Sequence, residues 1–322
     1  MIITRTPLRI TLCGGGTDLP SYYKHQGGLV ATMAINKYIY ITLKPDDFEN
    51  LCKLRYSEIE IVRDITRLKN TRAREALKIN NVESVEINSC ADLSSKSGLG
   101  SSGSFLVGLL NAIKCYKRED NTPKTLAEEA CKIEIEILHE PVGKQDQYIA
   151  AFGGVQLLKI DTSGYVRVKP LNIQVEHLIT NMRVYALDIY RNASDILSDQ
   201  NKMEANTKNT MDDIMSLGMD QIMMLKNGDI RGYGESLDEY WSLKKQLSSK
   251  ISLNFVDELY SSVKQQFNVL GGKIIGAGGG GFIMLYAEKN HEDLDTYMSK
   301  MGLKRLIYSI DSLGSTLLGN HL

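Results

Sequence analysis

Apolar and polar positions along the 322-residue chain change period several times, and each change marks an element. Residues 8–13 are an apolar run that enters Gly14-Gly15-Gly16 and predicts a strand. Residues 37–44 set Tyr38, Tyr40 and Thr42 against Ile39, Ile41 and Leu43, the two-residue alternation of a half-buried strand. Residues 82–90 predict another. Beyond a glycine- and serine-rich loop, residues 105–116 are apolar almost throughout, as in a buried helix. Helical spacing returns at 124–138, Pro141 and Gly143 break it, and 146–152 predicts a short helix stopped by Gly153-Gly154. Strand signals resume at 155–160 and 183–189, residues 194–266 are helical in pattern, and 273–275 and 282–287 flank a run of glycines. This succession predicts a chain of two units, divided between 165 and 190.

Composition narrows the partners. With 43% apolar and 24% charged residues the chain is an ordinary globular one, and a net charge of −1 exerts no pull on nucleic acid or an acidic membrane. No apolar run is long enough to span a bilayer. Five scattered cysteines without a C-x-x-C pair argue against a zinc site or a disulfide framework, and the dispersed histidines suggest no metal cluster. Residues 1–7 lack a signal peptide's apolar core, so a cytoplasmic location is expected. Met211, Met215, Met219 and Met223 recur every four residues on one helical stripe, which reads as core packing rather than an adaptable partner surface.

Four places carry candidate chemistry. Ser97-Gly98-Leu99-Gly100-Ser101-Ser102-Gly103-Ser104 runs from a strand into a helix. Its glycines let backbone N–H groups converge at a helix N-terminus, a cradle for phosphate oxygens, and a serine hydroxyl there is also a Mg²⁺ ligand. Stepping about 100° per residue from Leu126 sets Ala130 at about 40°, Ile133 at about 340° and Ile137 at about 20°. Glu134 falls at about 80°, inside that apolar arc, which points either to a salt bridge at its rim or to a Mg²⁺ ligand. Asp146 is either a helix N-cap or a general base, with Lys144 placed to keep it ionised. Arg9 and Asp18 bracket Gly14-Gly15-Gly16-Thr17 and suit charge neutralisation and a polyol's hydroxyls, or else a surface ion pair. Gly276, Gly278 and Gly281 satisfy G-x-G-x-x-G, but a strand-like run follows them where a dinucleotide fold needs a helix. The glycines therefore predict a tight hairpin or a backbone wall close to a ligand.

In order and spacing, Pro7-Leu8-Arg9 through Thr17-Asp18, Gly98-Leu99-Gly100-Ser101-Ser102 and Gly276–Gly281 resemble the motifs of the GHMP kinases over nearly the whole chain. Gly103-Ser104 stands where alanines are usual. Within that family, residues 9–23, 143–148 and 191–197 look most like the branch acting on heptose 7-phosphate, with an L-fucose-type sugar kinase or a silent nucleotide-binding regulator as alternatives. The resemblance implies an α+β fold of two domains, a ribosomal-protein-S5-like N-terminal one (1–175) and a ferredoxin-like C-terminal one (176–322), with ATP and a small sugar phosphate in the cleft between them, and leaves a homodimer open. It implies that Ser97 to Ser104 hold the nucleotide and that Ser102 and Glu134 hold Mg²⁺. Asp146 is then the catalytic base and Arg9 stabilises the transferring group. The acceptor falls to Gly15, Gly16, Thr17, Asp18, Gly278, Gly279, Gly280 and Arg191, with Lys37 a second candidate cation for its phosphate.

Overall fold

The computed structural model describes residues 1–94, 97–189, 196–197 and 205–320. Two long strands, β1 (Ile2–Cys13) and β2 (Gly28–Pro45), pair antiparallel and form the spine of an eight-stranded sheet. The register shifts between Pro7 and Leu8, which bends the ribbon. As a result the two halves of β2 take different partners, β6 (Val155–Ile160) along residues 28–33 and β5 (Val85–Ala91) along 39–45. The short strands β3 (Cys52–Arg55) and β4 (Ile59–Val62) extend the sheet beyond β5, and β7 (Val166–Pro170) lies beside β6.

Helix α1 (Pro20–Gln26) follows the first glycine loop, and α2 (Thr71–Ile79) precedes β5. Helix α3 (Ser101–Lys117) is the predicted buried helix and packs on β1 and β2. Helix α4 (Pro123–Cys131) starts on a Thr122 cap with proline in its first turn. It continues through a π-helical stretch, Lys132–Ile137. The wider π turn rotates later residues relative to an α-helical wheel, so Ile137, expected inward, is exposed. Helix α5 (Gln145–Phe152) closes this layer.

After α6 (Val175–Asn181) comes a second antiparallel sheet of β8 (Met182–Ala186), β9 (Gly271–Ile274) and β10 (Phe282–Tyr286), in the order β8-β10-β9. Residues 304–306 run along the free edge of β8 through Lys304 O and the Leu306 amide. The spatial order is thus fourth-first-third-second, the antiparallel arrangement of a ferredoxin-like domain. Both faces of β10 are buried: Phe282, Met284 and Tyr286 join the core under the first sheet, while Ile283 and Leu285 join a second core. This explains why 282–287 shows no polar alternation. Helices Ala205–Asn227, Ile230–Gln246, Asn254–Phe267 and His291–Lys300 complete this half. The last strand, β11 (Thr316–Asn320), pairs with β1, so a division at residue 175 separates the sheets but not every strand of them.

The methionine stripe is corrected. Met211 is buried and Met215 partly so, whereas Met219 and Met223 are about half exposed (47% and 53%). A four-residue step overshoots a helical turn by about 40°, and three steps carry the stripe off the core face. That face follows Met211, Ile214, Leu217, Ile222 and Leu225 instead. All five cysteines are free, and no described helix is long and apolar enough to cross a membrane.

Candidate active site

A cleft of about 770 Å³ opens where the loop before α3 meets the glycine hairpin between β9 and β10, at the large end of the roughly 300–1,000 Å³ usual for small-molecule sites. The two glycine segments touch backbone to backbone. A Cβ on Gly98 would lie 2.6 Å from Ile275 O, and one on Gly276 would lie 2.5 Å from Gly98 O, both at positive φ. Only glycine fits either position.

Of the eight predicted phosphate-loop residues, Gly98, Gly100, Ser101 and Ser102 line the cleft at the N-terminus of α3. Ser97, Leu99 and Ser104 are instead buried, Ser104 donating to Pro7 O at 2.7 Å, and Gly103 packs against Asp146. These four do not line the cleft and shape the loop from behind. β1 fastens the same loop, since the Arg9 amide donates to Leu99 O at 3.0 Å and Arg9 Nη1 to Gly98 O at 2.6 Å.

Arg9 also holds the candidate base, with Nε donating to Asp146 Oδ1 at 2.8 Å. Arg9 is only 5% exposed, so the surface-pair alternative fails. The N-cap alternative fails as well, because Lys144 is the cap residue and Asp146 sits inside the first turn of α5. Lys144 does not partner Asp146 as expected. It donates to Gly164 O at 2.6 Å and lies over the Tyr23 ring. Asp146 Oδ2 has no partner among the described residues.

Asp18 is buried at the cleft wall and accepts from the amides of Gly16 (3.2 Å) and Gln145 (3.0 Å). Burial raises its pKa, Asp146 adds to that, and the two amides oppose it. Gly143 is required here, since a Cβ would fall 2.0 Å from Asp18 Oδ2. Gly15 and Gly16 line the cleft, but Thr17 does not. Its hydroxyl is buried between Gly14 O and Leu29 O at 2.8 and 2.9 Å, a loop staple rather than a ligand.

Glu134 points inward as the helical wheel predicts and is fully buried. Arg72 Nε donates to its Oε1 at 2.7 Å, Gln147 Nε2 donates to its Oε2, and Arg72 Nη2 pairs with Glu140. Ser102 suits a Mg²⁺ ion, facing the cleft, whereas Glu134 as it stands does not, both oxygens being held away from it. No cluster of three metal-binding side chains occurs among the described residues.

Gly276 and Ala277 form the hairpin's cleft wall. Gly278 and Gly280 pack on Ile251 and Ile189, and the Gly279 amide donates to Ile251 O at 2.8 Å, correcting their expected substrate contact. Lys37 does not line the cleft, and Arg191 lies outside the described residues. Of the 191–197 motif, Leu197 reaches the cleft wall.

Tyr240, Lys244 and Lys273 of the second half went unpredicted, as did Arg72 and Glu140. A signal existed for the lysines. Leu237, Tyr240, Trp241 and Lys244 share one helical stripe, and Lys273 enters an otherwise apolar strand. Nothing in its own segment singles out Arg72.

Residues 61–154 match the family profile described as GHMP kinases N terminal domain. The chain is 28% identical over 311 residues to D-glycero-alpha-D-manno-heptose 7-phosphate kinase of Campylobacter jejuni, covering 89% of each. It is 24% identical over 333 residues to L-fucokinase/L-fucose-1-P guanylyltransferase of Bacteroides fragilis, covering 88% of this chain and 34% of that protein. Its fold superposes with a TM-score of 0.81, at 22% identity and over the whole of both chains, on a D-glycero-D-manno-heptose 1-phosphate kinase from Bacteroides thetaiotaomicron.

Proposed function

We propose that the chain is a GHMP kinase and that it transfers the γ-phosphoryl group of ATP to the anomeric hydroxyl of D-glycero-D-manno-heptose 7-phosphate, giving the 1,7-bisphosphate. One observation carries this reading: Asp146, gripped on one oxygen by Arg9, stands at the phosphate loop with its other oxygen free. That oxygen takes the hydroxyl proton as the sugar oxygen attacks phosphorus and ADP departs. Arg9, shared between Gly98 O and Asp146, fixes the base relative to the loop and brings positive charge to the transferring group. The amides at the start of α3 face the nucleotide's phosphates, and Asp18 accepts from sugar hydroxyls.

Ser102 would hold a Mg²⁺ ion arriving with the nucleotide, and the ion would neutralise phosphate charge during transfer. Glu134 stays with Arg72 and Gln147. Similarity to the heptose 7-phosphate kinase of C. jejuni supports the acceptor, and similarity to the fucokinase makes an unphosphorylated hexose the second reading.

ADP release with Mg²⁺-ATP against the manno-heptose 7-phosphate, sedoheptulose 7-phosphate, mannose, L-fucose and galactose tests the proposal. Turnover confined to the heptose phosphate supports it. Turnover on L-fucose alone replaces the acceptor, and silence across the panel with ATP bound makes the chain a nucleotide-binding regulator.

A further inference from the structure

Lys244, on helix Ile230–Gln246, and Lys273, on β9, are buried on the cleft wall. Among the described residues their ammonium groups hydrogen-bond backbone oxygens alone: Lys244 Nζ donates to Gly276 O, and Lys273 Nζ to Leu12 O at 2.7 Å. Each ammonium has three donors, so two on each remain unused by these bonds. Among the described residues no carboxylate stands within ion-pair distance of either. Both approach the ring of Tyr240, Lys273 Nζ to 4.4 Å from its centre and Lys244 Nζ to 5.9 Å. The Tyr240 hydroxyl reaches Gly15 O at 3.3 Å, which sets the cluster beside the Gly15-to-Asp18 segment, and the Lys244 bond to Gly276 O ties it to the glycine hairpin. Buried, unpaired cations are costly. Burial, reinforced by Arg9, lowers the Lys244 pKa to about 8, and burial with Lys244 nearby lowers that of Lys273 to about 7.

We propose that Lys244 and Lys273 form the subsite for the phosphoryl group carried by the sugar acceptor. The proposal rests on the sugar-phosphate kinase reading. It gives two costly cations the anion they lack, and gives the acceptor's phosphate partners that neither Lys37 nor any described part of the 191–197 motif supplies. Charge-assisted bonds of this kind make a phosphorylated acceptor bind at least about tenfold more tightly than the same sugar without its phosphate.

The test is calorimetric titration of the full chain with D-glycero-D-manno-heptose 7-phosphate and with the unphosphorylated heptose, in the wild type, Lys244→Met and Lys273→Met. The preference of about tenfold or more should collapse to within about threefold in each variant, with ATP affinity unchanged. A preference that survives both substitutions overturns the subsite. A loss falling on ATP instead assigns the lysines to the nucleotide and also overturns it. Thermal unfolding monitors the fold, and Lys→Gln at either position replaces a Met variant that melts early. Should the wild type turn over a free hexose, the acceptor reading has failed, and inorganic phosphate becomes the probe. Phosphate binding that both variants lose keeps the anion subsite, and binding equal in wild type and variants removes it.

Discussion

The two walls of the cleft treat charge differently. On the first-sheet side every buried charge has an answer: Arg9 has Asp146, Asp18 has two backbone amides, and Glu134 has Arg72 and Gln147. On the second-sheet side Lys244 and Lys273 have carbonyl oxygens and the Tyr240 ring, and no carboxylate among the described residues. A wall with satisfied charges is already rigid before any ligand arrives, as a site that must position a base requires. A wall with unanswered charges is incomplete, and an anionic ligand completes it.

The comparison breaks most visibly at Asp146. Asp146→Asn keeps an acceptor for Arg9 but no base, so kcat should fall about 10²- to 10⁴-fold while the melting temperature holds. A kcat near wild type in steady-state assays would strip Asp146 of its chemical role. Glu134→Ala tests the most deeply buried pair. Arg72 keeps Glu140 but loses one charge-assisted bond, and Gln147 loses another, so the variant should cost about 1.5–3 kcal/mol in denaturant unfolding. A stable variant with a raised Mg²⁺ requirement would make Glu134 a metal ligand instead.

The seam between the walls is sharpened by two alanines. Gly276→Ala combines positive φ with a clash on Gly98 O, and should destabilise by about 2–3 kcal/mol and raise the KM for ATP. Gly302→Ala, at φ +80° with nothing within 4 Å of its Cβ, should cost only about 1 kcal/mol and leave kinetics alone. Equal effects on KM would show that the glycine contact does not matter to the site.

The remaining expected effect, set by pH, concerns the unanswered side. Between pH of about 7 and the ordinary lysine value of 10.5, the unfolded chain keeps a proton on Lys273 that the folded chain has lost, so this residue makes stability rise with pH. Below that window both states are protonated, and the cost of the buried charge is fully present. Lys273→Met should therefore be more stable at pH about 6, on the order of 1–3 kcal/mol, with the gain shrinking toward pH about 10. A variant less stable than wild type at the acid end would show that the free chain already compensates this lysine.

Much of this was legible in the residues. The strand at 155–160 lies where its strand signal predicts, α3 is buried as its apolar run requires, and Glu134 turns inward. Strands β3 and β4, four residues each, are too short to show a period, and β4 exposes Ile59 and Ile61, so apolarity there misleads about burial. Arg72 acts only because α2 delivers it across 62 residues to Glu134. Thr17 and Gly278 to Gly280 sit inside motifs that do form the site, yet face away from the cleft, because a motif marks a segment and not the direction of each side chain.

Period and punctuation are local properties of the backbone, and so the linear order of residues already contained the elements, the need for glycine at two loops, and the residue types that phosphoryl transfer uses. Which charges meet was not contained there. Arg9 reaches Asp146 across 137 positions and Lys273 reaches Leu12 across 261. Such meetings follow from the bend in β1 and β2, the seating of the second sheet against the first core, and the glycine seam that joins them. A buried charge has its energy set by whatever the fold brings within a few ångströms, and no stretch of chain carries that information alone.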